Sequence, residues 1–221
     1  MKIALIGEKK IIMSAPETQN NYFAWPSAKR LQDSRIAVGA SGFRLRHICP
    51  FGKAVLMMSE DEGKSYSAPI PVIDTCLDDR DCGIATFGES GMIVTSFNNT
   101  VNFQRKHALP EEAAHLDGIS PEDEARDLGA TFRISYDGGK TFGPLCKSPI
   151  TSPHGPIELK DGTVMWLGRT FSCENGRMET DAVKAYHLDT QTGEMEYLGE
   201  IENVVVDGNQ ALSCEPYAIQ L

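Results

Sequence analysis

Apolar and polar positions along this chain fall into a recurring unit. Four segments each open on or beside a proline or glycine and run into a short apolar stretch. They begin at Trp25-Pro26-Ser27-Ala28, Asp81-Cys82-Gly83-Ile84, His154-Gly155-Pro156-Ile157 and Glu215-Pro216-Tyr217-Ala218. In the first three a polar turn follows, Gln32-Asp33-Ser34-Arg35, Gly88-Glu89-Ser90-Gly91 and Lys160-Asp161-Gly162-Thr163. Asp, Ser and Gly are the residues tight hairpins prefer. Second apolar stretches come next, Ile36-Ala37-Val38-Gly39, Met92-Ile93-Val94-Thr95 and Val164-Met165-Trp166-Leu167, rich in strand formers. The pattern predicts an all-β protein built of repeated antiparallel hairpins.

The repeat starts at intervals of 57, 73 and 60 residues, counted from Pro26 to Gly83 to Pro156 to Pro216. Four strands with their connections fit that length, which is the size of a β-propeller blade. Late in the first two repeats, where a third strand would turn into a fourth, stand two matching octets. These are Ser59-Glu60-Asp61-Glu62-Gly63-Lys64-Ser65-Tyr66 and Ser135-Tyr136-Asp137-Gly138-Gly139-Lys140-Thr141-Phe142. An Asp in such a turn accepts hydrogen bonds from its own loop's N–H groups, and Gly63 and Gly139 suit a positive φ. Tyr66 and Phe142 would pack between neighbouring sheets. These Asp-box turns therefore predict architecture, not metal binding or catalysis. Tyr186-His187-Leu188-Asp189-Thr190-Gln191-Thr192-Gly193 reads as a decayed third copy.

Composition narrows the picture further. The 221 residues carry a net charge of −10, which argues against nucleic acid as a partner. There is no long apolar run to span a membrane. Residues Met1 to Lys10 reach charge too soon for a secretory apolar region, which predicts a cytoplasmic protein. The six cysteines are scattered singly, giving neither a zinc site nor a disulfide framework, and no cofactor is expected.

The repeat and its Asp-boxes resemble the sialidase superfamily of six-bladed propellers, from Tyr22 onward. Phe23-Ala24-Trp25-Pro26 falls where that family carries Phe-Arg-Ile-Pro, so Ala24 replaces an arginine that grips a sialic acid carboxylate. The stretch Ser41 to Pro50 falls where the family has its acid/base aspartate, and it contains no carboxylate. Ser213-Cys214-Glu215-Pro216-Tyr217-Ala218-Ile219 resembles the segment whose glutamate activates the nucleophilic tyrosine, which matches Glu215. The resemblance implies blades over about 22–75, 79–150 and 153–202, with another starting at 213–221. Six such blades need on the order of 360 to 400 residues, so the expectation is a missing C-terminal half or a partner, such as a second copy, that closes the ring.

Topology predicts where chemistry sits. First-strand starts and second-strand ends share one face of each blade, opposite the Asp-boxes. First-strand starts bring Trp25, Asp79-Arg80-Asp81, His154 and Glu215 to that face; second-strand ends bring Arg44, Arg46, His47, Asn98, Asn99 and Arg169. Polar and aromatic groups converging from four repeats suit a ligand pocket. The arginines suit a carboxylate or sulfate, so the expected partner is a carbohydrate, including an anionic one. Arg44, Arg46, Arg80, Arg169, Trp25 and His47 are the expected binding residues; Glu215, Asp81 and His154 are the expected proton-transfer groups. A long insertion, about 104–130, carries helix-start chemistry at Pro110 and Pro121 and would rise on the same face. Three readings follow: a sialidase-like glycoside hydrolase on an acidic or unusual sugar, a non-catalytic carbohydrate-binding propeller, and a polysaccharide lyase with His154 as base.

Overall fold

The computed structural model describes residues 10–179, 181–211 and 215–221. Residues 1–9, Thr180 and residues 212–214 lie outside the described residues, and with them the Ser213 and Cys214 that open the last expected blade. Strands β1 (Tyr22–Arg30), β2 (Ile36–Arg44), β3 (Lys53–Ser59) and β4 (Ile70–Ile73) form a first antiparallel sheet in chain order. A second follows from β5 (Arg80–Phe87) and β6 (Gly91–Phe97), then β7 (Ala130–Ser135) and β8 (Cys146–Ser148). Between β6 and β7 lie helices α1 (Val101–His107), α2 (Pro110–Asp117) and α3 (Pro121–Asp127). Strands β9 (Ile157–Glu158) and β10 (Val164–Gly168) open the third sheet. After the short hairpin of β11 (Phe171–Ser172) and β12 (Arg177–Met178), β13 (Val183–Leu188) and β14 (Met195–Ile201) complete it. A last hairpin joins β15 (Val205–Val206) and β16 (Asn209–Gln210). The protein is thus all-β, apart from its helical insertion.

Two apolar clusters hold the sheets together. Leu56, Ile73, Ile84 and Met92 belong to one that joins the first and second sheets. Ile93, Phe132, Ile150 and Trp166 belong to one that joins the second and third. Burial of each such side chain is worth about 1.5–3 kcal/mol. The first strands of the three sheets lie close together. Ser27 Oγ donates to the Pro153 carbonyl at 3.4 Å. A Cβ on Gly83 would stand 2.6 Å from the Gly155 nitrogen, so only glycine permits that approach.

The octet turns share one hydrogen-bond pattern. Asp61 Oδ1 accepts from Ser59 Oγ at 2.9 Å and the Ser65 amide at 2.8 Å, and Oδ2 accepts from Ser65 Oγ at 2.6 Å. Asp137 repeats this with Ser135 Oγ (2.8 Å), the Thr141 amide (2.9 Å) and Thr141 Oγ1 (2.6 Å). Gly63 and Gly139 sit at φ 84° and 83°. Phe142 packs against the cluster joining the first two sheets, and Tyr66 against the cluster of Val38, Val55 and Met57. Asp189 keeps a thinner version, accepting from the Gln191 amide at 2.7 Å. Residues 215–221 form no strand; instead Gln220 Oε1 accepts from the Lys160 amide at 2.6 Å.

Candidate functional site

The first strands of sheets one and two are interrupted at the same place. Pairing of β1 with β2 shifts between Ala24 and Ser27, and pairing of β5 with β6 shifts between Arg80 and Gly83. Each bulge holds a non-glycine residue at positive φ, Trp25 at 53° and Asp81 at 47°. Bulges re-aim side chains, and such backbone persists where the surroundings over-determine it. Both residues lie where strands β2 and β6 end.

Beneath them is a buried ion pair. Arg44 Nη2 lies 2.6 Å from Asp78 Oδ1, and neither side chain is exposed at all. Arg44 also donates to Ser41 Oγ (2.6 Å), the Asp79 carbonyl (3.1 Å) and the His47 carbonyl (2.7 Å). Asp78 Oδ2 accepts from the Cys49 amide at 3.0 Å. Gly52 is glycine for this pair's sake, because a Cβ there would stand 2.1 Å from Arg44 Nη1. Arg44, expected to grip a ligand, is committed inward and braces the loop after β2.

Above the pair stand Trp25, His47, Arg80 and Asp81. The Arg80 guanidinium lies between two rings, with Cζ 5.2 Å from the Trp25 centroid and 5.8 Å from that of Phe97. Arg44 Cζ is also 5.2 Å from the Trp25 ring, and His47 meets that ring edge-on at 5.0 Å. Arg80 Nη2 is 3.0 Å from His47 Nε2. Burial first, then Arg80 and Arg44, lowers the basicity of His47. A neutral ring accepts at Nε2 and carries its proton on Nδ1. Burial raises the Asp81 carboxyl above its usual range, against the pull of Arg80 and Arg44, while the charge of Glu215 pushes it further up. Among the described residues, Arg80 Nε and Asp81 Oδ1 are buried polar atoms without a hydrogen-bond partner. Unsatisfied buried atoms of this kind call for an explanation. Together they offer an oriented cation beside a carboxyl that keeps its proton to higher pH than usual.

The other expected residues go elsewhere. Arg46 forks onto buried Glu112 (3.0 and 2.5 Å) and donates to the Ile48 and His107 carbonyls, so it fastens the helical insertion. Arg169 is buried and donates to the Asp181 and Glu179 carbonyls and to Asn203. His154 is exposed and meets Tyr217 at 5.6 Å, lining a cavity of about 300 Å³ with Pro26 and Lys29. Glu215 is exposed. Asn98 and Asn99 bind the Asp127 and Cys173 carbonyls. Asp78 and Phe97 escaped the sequence reading. Phe97 ends β6, immediately before the asparagines that drew attention there.

Asp79 is fully buried, accepting from the Thr75 amide at 2.6 Å and Thr75 Oγ1 at 3.0 Å, and burial pushes it up to about 7. The folded chain therefore keeps a proton that the unfolded chain releases near pH 4. Stability should fall as pH climbs from about 4 to 7. Asp78 and Asp81 act in the same direction; His47 opposes them weakly, being exposed. Denaturant midpoints between pH 4.5 and 7.5 test this, with the slope flattened in Asp79→Asn. A midpoint that rises over that window would contradict it.

Among the described residues no group of three or more His, Cys, Asp or Glu is placed to hold a metal. No described helix is long and apolar enough to cross a membrane. These observations define an all-β protein of several antiparallel sheets, and comparison with known proteins places it more closely. No family profile matches the sequence, and no curated protein does. Solved structures match in fold. A Dyadobacter fermentans protein of unknown function is similar at TM-score 0.59 and 15% identity, over 86% of this chain and 57% of that one. A leech intramolecular trans-sialidase, complexed with 2,7-anhydro-Neu5Ac, gives 0.56 and 12%, over 92% and 47%. The intramolecular trans-sialidase of Ruminococcus gnavus gives 0.55 and 12%, over 91% and 65%. The fold is sialidase-like, and this chain spans between about half and two thirds of those proteins' lengths.

Proposed function

We propose that this chain forms part of a sialidase-type β-propeller and acts on a carbohydrate, as a glycoside hydrolase for an acidic sugar. One observation carries the reading. At the bulged start of β5, Arg80 and Asp81 present buried polar atoms, unpartnered among the described residues, beside Trp25 and His47. Arg80 would take the sugar's anionic group, and Asp81, whose carboxyl is raised, would protonate the leaving oxygen. Glu215, whose charge acts on Asp81, is the candidate second carboxylate. The likeness to trans-sialidases supports a carbohydrate ligand. Exposed Tyr197, Leu198 and Ile201 on β14, the outer strand of the third sheet, suit cover by further sheets of such a ring.

The test is binding by the full chain of a panel of neutral and acidic monosaccharides, followed by tryptophan fluorescence. Acidic sugars should bind better than their neutral counterparts, and Arg80→Gln should remove about 2 kcal/mol, the scale of a charge-assisted hydrogen bond. Equal binding of neutral and acidic sugars, unchanged in Arg80→Gln, would sink the assignment. A second reading, binding without turnover, draws on the inward commitment of Arg44, Arg46 and Arg169, which leaves the site a single free guanidinium edge. Saturable binding with no release of aglycone would favour it.

A further inference from the structure

Away from the bulges, a cavity of about 380 Å³ opens between the first two sheets at their outer strands. Ile73 and Leu145 give it an apolar lining, and its charges do not balance. Its two acids each have a cation of their own. Asp74 accepts from Lys53 Nζ at 2.6 Å, and Asp127 from Arg126 Nε at 2.8 Å. Two cations are left over. Among the described residues Lys147 Nζ donates only to the Leu128 carbonyl, at 2.7 Å. Arg133, on β7, has no hydrogen-bond or ion-pair partner among the described residues, and its Nε is buried. Burial also lowers the basicity of Lys147. An uncompensated pair of cations in a protein of net charge −10 is not explained by folding, because leaving a buried guanidinium nitrogen unmatched is costly.

We propose that this cavity is an anion site, in which Arg133 and Lys147 take a compact oxyanion, a carboxylate or sulfate. The planar guanidinium presents parallel N–H donors that match either group, and the ammonium adds a point charge. The volume falls within the range of small-molecule sites, leaving room for an acid larger than an inorganic ion. Such a site stands apart from the Arg80 group and is independent of the function assigned to it.

The experiment is calorimetric titration of the full chain with sodium sulfate and with glucuronate, at constant ionic strength set by sodium chloride. Saturable binding is expected, weakened about tenfold in Arg133→Gln and less in Lys147→Gln. Arg80→Gln serves as a control: it should keep the component of binding that Arg133→Gln removes. Tighter glucuronate would identify a sugar acid as the occupant; tighter sulfate would identify a free inorganic ion. Arg133→Gln should fold normally, since no partner is lost, and its melting temperature without anion should equal or exceed that of the parent. Arg133→Lys keeps the charge without the fork and should restore only part of the affinity. Absence of saturable binding, or binding indifferent to Arg133→Gln, would overturn the site. A loss confined to Arg80→Gln would place the anion at the bulges instead, and overturn it equally.

Discussion

Arg44→Ala should lower the unfolding free energy by about 3–5 kcal/mol, the cost of stranding one member of a buried ion pair. Asp78 would be left fully buried, with its Oδ1 facing an empty volume and only the Cys49 amide on its other oxygen. Ser41, the Asp79 carbonyl and the His47 carbonyl would each lose a donor as well. Because the same guanidinium lies against Trp25, the damage should spread upward into the candidate site. Gly52→Ala should approach the same loss without removing any charge, since its Cβ would displace Arg44 Nη1. Replacing both charges, as in Arg44→Met with Asp78→Leu, should recover part of the stability while leaving Trp25 poorly held. Chemical denaturation of the three variants measures this. A loss below about 1 kcal/mol for Arg44→Ala would show that water reaches the pair.

The turn chemistry was legible in the sequence because it is local. Asp61 and Asp137 meet partners within four residues, so Ser, Asp, Gly and Thr at fixed offsets state the hydrogen bonds in advance. Hairpin turns at Asp33, Gly88 and Asp161 were legible for the same reason. So was the alignment of Trp25 with Asp81, which turns out to be an alignment of bulges. The arginines were not legible. Arg44 and Arg46 lie two residues apart and look interchangeable, yet one meets Asp78 from the approach to β5 and the other Glu112 from the insertion. Both acids are distant in sequence, and nothing near the arginines predicts them. Packing, which the pattern of residue types does not carry, divides the arginines that brace loops from Arg80, whose Nε is unmatched among the described residues.

Asp81→Asn should reduce turnover of an alkyl glycoside of an acidic sugar by about 10²–10⁴-fold, the usual contribution of general acid catalysis. The reason lies in its surroundings. Burial raises the carboxyl above its ordinary range, and its Oδ1 has no hydrogen-bond partner among the described residues. Asn at the same strained φ preserves shape and polarity, since Asn tolerates positive φ as Asp does, so binding should change little. Two signatures separate an acid from a merely structural residue. Activity of the parent should decline as pH rises through the raised Asp81 value, because the acid form is then lost, and that limb should vanish in Asp81→Asn. Aryl glycosides, whose phenolate leaves without protonation, should lose far less than alkyl glycosides in the variant. An equal loss on both substrates, with the pH limb intact, would mean that Asp81 only positions Arg80 and that the proton comes from another group.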